Sequence, residues 1–193
     1  MITKRNYIDL IQNRLNGGAA PKDVQKVYPR GVIARVLDMA FADVVINNSD
    51  AAADMSLEFS FTASTDANGY YITLSPRPIS GTLSIYDIYD DKNSYNIQDK
   101  VMARGIRDLR TNNKFGAVLF GDKLRLNTTP VGEVKVIYVP RVSEMADDDA
   151  LYAGEVGDNG EVVLFTRVMT VLQGNAFQDE LNNNAIDAQQ QGR

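Results

Sequence analysis

The chain has 193 residues, 44% of them hydrophobic and 23% charged, which is enough apolar material for one packed core with a small appendage and excludes disorder as the starting assumption. Twenty Lys and Arg against 25 Asp and Glu leave a net charge of -5, so overall basicity cannot hold nucleic acid, and any DNA contact has to be local. With neither histidine nor cysteine, the sequence lacks disulfides, thiolate nucleophiles, Cys/His zinc sites and the Ser-His-Asp and Cys-His catalytic arrangements.

Residues 3–16 place Tyr7, Ile8, Ile11 and Leu15 at helical spacing, and Gly17-Gly18 then supplies a backbone that ends a helix. After a turn, Val24 and Val27 read as one helical turn leading to Pro29. From Arg30 the positions Ile33, Val36/Leu37, Ala40/Phe41 and Val44/Val45 sustain a helical period of about 3.6 residues, predicting a second helix that ends near Asn47-Asn48. The period then changes to two, because Leu57, Phe59 and Phe61 alternate with Glu58, Ser60 and Thr62. Tyr70 to Leu74 resumes after Asn68-Gly69, and the two runs predict a β-hairpin. Thr82 to Tyr89 predicts a third strand, turned at Asp90 to Asn93, with Tyr95 to Gln98 as its return. Residues 99–110 regain helical character, weakened by Gly105. Ala117–Phe120 and Lys123–Asn127 flank Gly121-Asp122 as a second hairpin, and Val134 to Val139 adds a strand. A final helix is predicted from about Glu161, followed by an amide-rich tail.

These pieces predict an α+β fold with an N-terminal helix pair (1–48), a central small antiparallel β-hairpin region (56–140), an acidic loop (141–160), and a C-terminal helix with an extended tail (161–193). Charge is uneven along this order: residues 1–45 carry seven Lys/Arg and four Asp/Glu, residues 46–142 eleven of each, and residues 143–193 two against ten. Such polarity arises from acidic loops or from head-to-tail stacking of subunits. No run approaches the roughly 18 apolar residues of a membrane span, and the start of the chain lacks the apolar core of a signal peptide, so a reducing cytoplasm is the expected compartment.

Candidate chemistry is sparse. Asp147-Asp148-Asp149 is acidic enough for a cation, but consecutive carboxylates diverge and the calcium-loop spacing is absent, so an acidic loop is the simpler reading. Asp158-Asn159-Gly160 reads as a turn, and no phosphate-binding glycine loop occurs. Asp87, Asp90 and Asp91 leave paired-carboxylate chemistry open without defining a site. No catalytic, cofactor-binding or metal-binding residue is assigned, and the chain is expected not to be an enzyme. Lys100, Arg104, Arg107, Arg110 and Lys114 fall on one face if their segment is helical, a basic stripe suited to a phosphate backbone or an acidic subunit face, or else the solvated side of an amphipathic helix. Val162, Val163, Phe165, Met169, Leu172 and Phe177 offer more apolar surface than a free terminal helix needs, which marks a helix that docks in a groove.

The order of the pieces resembles the neck and tail adaptor ring proteins of short-tailed phages, and the amide-rich tail with Gly17-Gly18 after the first helix looks closest to the ring proteins of crAss-like phages. The likeness is carried by Ile2 to Gly18, by Arg30 to Val45, by Phe120 to Pro130 followed by Val134 to Pro140, and by Val162 to Gly174 with its polar tail. Residues 50–115 contribute nothing to it. The resemblance implies a structural virion protein in the head-to-tail connector, assembled in the host cytoplasm as a homo-oligomeric, dodecameric ring. Its implied partners are copies of itself, the portal protein or adjacent neck and tail rings, and genomic DNA passing through the channel, with no cofactor and no membrane. The alternative is a non-viral adaptor or scaffold domain using the same surfaces for protein contacts, and a weaker rival is a hydrolase without histidine.

Overall fold

A computed structural model describes residues 2–15, 28–47, 49–97, 115–152 and 164–172. The fold is α+β, with helices toward both ends of the chain and antiparallel strands between them. Helix α1 spans Lys4–Leu15 and α2 spans Arg30–Asn47; a six-residue helix α3, Ser49–Asp54, follows and was not foreseen from periodicity. Helix α4 covers 164–172. The predicted turn of helix at Val24–Val27, the helix at 99–110 and the tail fall outside the described residues.

The strands are β1 Leu57–Phe61, β2 Ser64–Asp66, β3 Gly69–Thr73, β4 Ile85–Tyr89, β5 Asn96–Ile97, β6 Gly116–Phe120, β7 Lys123–Leu126 and β8 Val134–Tyr138. They form a three-stranded sheet, β1-β8-β4, and a five-stranded sheet, β2-β3-β7-β6-β5. The expected pairing of Leu57–Phe61 with Tyr70–Leu74 does not occur. Instead β1 pairs along β8, from Leu57 opposite Tyr138 to Phe61 opposite Val134, and β3 lies between β2 and β7. A tighter hairpin turn forms through Ala67-Asn68, joining β2 to β3, with Gly69 at φ 111° opposite Asp66. Local turn chemistry was legible there; the strand on its N-terminal side was three polar residues without an apolar alternation to announce them.

The second predicted hairpin forms as read, with Phe120 opposite Lys123 and Gly121 at φ 65°. Thr82–Ser84 belongs to a 3-10 turn, Gly81–Ser84, and the strand starts at Ile85. Beyond the Asp90 turn, the chain returns briefly along β4 through a bridge between Tyr89 and Ser94, then leaves for the other sheet, where Asn96–Ile97 runs parallel to β6.

Two apolar layers result. One lies between the sheets, where Val134, Val136 and Tyr138 of β8 meet Ile85 and Ile88 of β4 and Ile72, Leu119, Leu124 and Leu126 of the larger sheet. The other joins Ile8 and Ile11 of α1 with Ile33, Leu37, Phe41 and Val44 of α2, together with Val142, Leu151 and the buried face of α4. The periodicity of α2 named its buried side correctly: Ile33, Val36, Leu37, Ala40, Phe41, Val44 and Val45 are all buried. The end of β8 links the layers, since Tyr138 belongs to the first and Val139, the residue after the strand, to the second. The Tyr138 hydroxyl donates to the Pro76 carbonyl at 2.6 Å, so this buried tyrosine is satisfied.

Candidate functional site

Several charged side chains meet where the acidic loop closes on the N-terminal helices. Helix α1 starts with amides that have no partner inside the helix. Here the Lys4 amide donates to the Asp149 carbonyl at 3.0 Å and the Arg5 amide to the Asp147 carbonyl at 2.9 Å, while the Leu151 amide reaches the Ile2 carbonyl at 3.0 Å. Side chains complete the clasp. Lys4, nearly buried, donates to the Met145 carbonyl at 2.6 Å and stands 3.5 Å from Asp147; Arg5 meets Asp148 at 3.1 Å; Arg30 bridges Asp9 and Asp147. On α2, Asp38 accepts from the backbone and hydroxyl of Ser143.

Part of the end-to-end charge asymmetry is therefore neutralised within one molecule, with the acidic loop seated at the positive end of α1. The three consecutive aspartates do diverge: Asp147 faces Lys4 and Arg30, Asp148 faces Arg5, and Asp149 accepts from the Ala146 amide at 2.7 Å. Among the described residues, no group of three or more acidic side chains comes together as a metal site. An open cleft of about 440 Å³ lies beside the clasp, lined by Lys4, Ile8, Arg30, Gly31, Ala34, Arg35, Ser143 and Asp147. Its lysine and one arginine are spent on the clasp, leaving Arg35 as the lining cation without an ion pair among the described residues.

A second polar centre sits at the end of β4. Asp90, 7% exposed, accepts hydrogen bonds from the amides of Lys92 and Asn93 at 2.8 Å each, from the Val131 amide at 3.0 Å, from the Asn93 side chain at 3.2 Å and from the Tyr95 hydroxyl at 2.6 Å. Burial alone pushes this carboxyl up, and the bonds from Tyr95, Val131, Lys92 and Asn93 together more than reverse it, so Asp90 lies well below the usual carboxylate range. Burial, then the charge-bearing partner Asp90, pushes the Tyr95 hydroxyl up to about 12. Every donor here is structural, so the carboxylate named in the sequence as one of many acids is a knot tying the 90–95 turn to the loop before β8.

Elsewhere, Arg125 grips Asp66 through two bonds of 2.8 and 2.7 Å, and that contact holds the Asp66 carboxyl at about 2. Arg77 holds Glu144 through its side chain and amide, which keeps Glu144 below its ordinary value.

The residues singled out from the sequence are placed unevenly. The basic stripe of Lys100, Arg104, Arg107, Arg110 and Lys114 lies outside the described residues, as do Val162, Val163 and Phe177. Met169 and Leu172 are buried in the helical core with Leu164 and Val168, and Phe165 is half-buried against it. For the described part of this helix, then, the groove is the chain's own: Arg167 pairs with Asp43 of α2, and the Tyr28 hydroxyl donates to the Leu172 carbonyl at 3.4 Å, so α4 runs antiparallel along α2.

What the sequence reading passed over is the opposite side of α2. Val32, Met39 and Ile46 are 44%, 61% and 67% exposed, at intervals of seven residues. The signal was present, since α2 is apolar on both sides, and a helix apolar all round is ordinarily covered all round. Leu83, 70% exposed, and Tyr86, on the bulge between Ile85 and Asp87, add apolar surface at the start of β4. The outer edge of β4 is blocked at Ile88, whose amide is taken by the Asp87 carboxylate at 2.8 Å and whose carbonyl is taken by the Tyr95 amide at 2.8 Å. The outer edge of β1 carries no backbone partner among the described residues. No helix among the described residues is long and apolar enough to cross a membrane.

No family model matches the chain, and no curated protein matches it.

Proposed function

We propose that the chain is a structural subunit of a tailed-phage head-to-tail connector, forming a homo-oligomeric, dodecameric ring that joins the portal to the tail and surrounds the DNA exit channel. The observation that carries an assembly role is the ordered apolar surface left open on α2 at Val32, Met39 and Ile46. The outer edge of β1, which has no backbone partner among the described residues, supports the same role, because an unpaired edge strand is a template for pairing with another chain. The phage setting is drawn from the sequence resemblance. A net charge of -5 suits a DNA conduit, since each ion-paired phosphate would add a salt-sensitive affinity that retards transit.

Mass photometry and negative-stain imaging of the purified protein, alone and with the portal and neck proteins encoded beside it, test the reading. Rings, or rings formed on the portal, are the expected result. A protein that stays free of the portal and never closes into rings would overturn it and leave the scaffold-domain alternative.

A further inference from the structure

The register of the smaller sheet shows which backbone groups β1 leaves open. Ile88 of β4 gives its amide to the Asp87 carboxylate and takes the Tyr95 amide at its carbonyl, both on the side away from β8. Opposite residues of an antiparallel ladder either face each other or face apart, so Val136, opposite Ile88, turns its backbone toward β1 and bonds Phe59. Alternation then points the backbone groups of Leu57, Phe59 and Phe61 at β8 and those of Glu58 and Ser60 outward. Neither outward residue has a backbone partner among the described residues. The β4 edge is obstructed, whereas β1 runs along β8 without a bulge and contains neither proline nor lysine, the usual guards of an edge.

This edge matches itself. An antiparallel second β1 centred on Phe59 sets Glu58 of each copy opposite Ser60 of the other, and the two pairs use every amide and carbonyl that these residues turn outward. The same register sets Leu57 opposite Phe61 and Phe59 opposite Phe59 on the apolar face, where all three are half-buried in a single copy. On the other face, Lys135 lies opposite Ser60 of its own copy and 3.7 Å from its own Glu58, whose other oxygen accepts from the Tyr89 hydroxyl. Because Ser60 is small, the row runs on from Lys135 over Ser60 to Glu58 of the second copy, so each Glu58 stands between two lysines.

We propose that two copies of this chain pair edge to edge through β1, antiparallel about a two-fold axis at Phe59, joining two three-stranded sheets into one of six. The occupant is a second copy because that register opposes no like charges directly, sets apolar side chains against apolar ones and brings a cation toward each Glu58. The pairing goes beyond the ring reading and does not rest on it, since a cyclic ring joins unlike faces and this contact joins like ones. Five residues a side, against roughly 20–30 in a standard interface, make it a reversible pair that dissociates on dilution.

The chain has no cysteine, so introduced cysteines report the register, and Glu58→Cys and Ser60→Cys fall at exposed positions. Under mild oxidation at high micromolar concentration, an equimolar mixture of the two proteins is expected to form interchain disulfides at least about fivefold faster than either alone, because 58 and 60 are directly opposite while like positions sit on a diagonal of about 7–8 Å. In sedimentation equilibrium, Ser60→Glu, which sets a second carboxylate opposite Glu58, should weaken the pair by about tenfold or more, and Ser60→Lys should tighten it, with the melting temperature of both close to the parent's. An unmodified protein that sediments as a monomer up to millimolar concentration overturns the proposal. So does Ser60→Cys cross-linking alone as fast as the mixture, or a pair that Ser60→Glu leaves intact. Rings built on the portal by a protein that never pairs would sink the pair and leave the ring; pairs that never close into rings would do the reverse.

Discussion

Replacing Asp90 by Ala removes the acceptor for five hydrogen bonds at once. The amides of Lys92 and Asn93 and the Asn93 side chain lie in a turn that water can reach, so their loss is partly repaired. The Tyr95 hydroxyl, on a residue 3% exposed, and the Val131 amide across the loop are the groups that stay stranded. Hydrogen bonds to a charged acceptor contribute about 1.5–3 kcal/mol each, and two of them set the expected loss at about 3–6 kcal/mol. With a urea slope of about 2 kcal/mol per molar, the unfolding midpoint falls by about 1.5–3 M. Tyr95→Phe, which removes one of these two bonds and keeps the ring, should cost about half as much.

The same group sets an acid signature. Its folded pKa lies below the unfolded value of about 3.9, so its contribution is fully present above that value and is lost as pH falls toward the folded one. Between about pH 4 and pH 2 the parent therefore loses stability more steeply than the Asp90→Asn protein, while Asp66 and Glu144, present in both, cancel from the difference. Parallel stability curves below pH 4, or an Asp90→Ala protein within about 0.5 kcal/mol of the parent, would refute the knot as what fixes this end of β4.

Gly132 lies at φ 77°, where a side chain strains the backbone, and the exposed Asp91 carboxylate beside it would have to swing aside, so Gly132→Ala should cost about 1–2 kcal/mol and lower the melting temperature by several degrees, as read by calorimetry. Arg125→Ala should let the Asp66 carboxyl climb from about 2 toward the ordinary aspartate value, visible as a shifted titration in carbon-detected NMR. Deleting residues 178–193 should leave thermal stability unchanged, because Leu164 to Leu172 already packs on the helical core, while weakening attachment to a neighbouring ring in pull-down; unfolding of the truncated protein would contradict this. Replacing both Arg104 and Arg107 with Glu should impair ring assembly or DNA delivery, and normal particles would return that stripe to a solvated helix face.

Sequence pattern by itself settled whatever depends on neighbours a few residues away. The buried faces of α1 and α2, the Gly121-Asp122 hairpin and the β8 run at Val134–Val139 were all legible because helical period, strand alternation and turn chemistry are local properties. Which strands pair is not local. β1 and β3 alternate equally well beside each other or apart, and it is tertiary packing, with half-buried Phe59 against Tyr138 at a ring-centroid distance of 4.7 Å, that accompanies the pairing of β1 with β8. Asp90 and Asp147 looked alike in a sequence rich in acids, and the tertiary fold alone gave one a ring of five donors and the other Lys4 and Arg30. The stripe at Val32, Met39 and Ile46 shows the same division: its spacing was written in the chain, but that side of α2 is known to be the open one only because the core, the acidic loop and α4 occupy the others, leaving these side chains the largest apolar surface on the helix with nothing of their own molecule to cover it among the described residues.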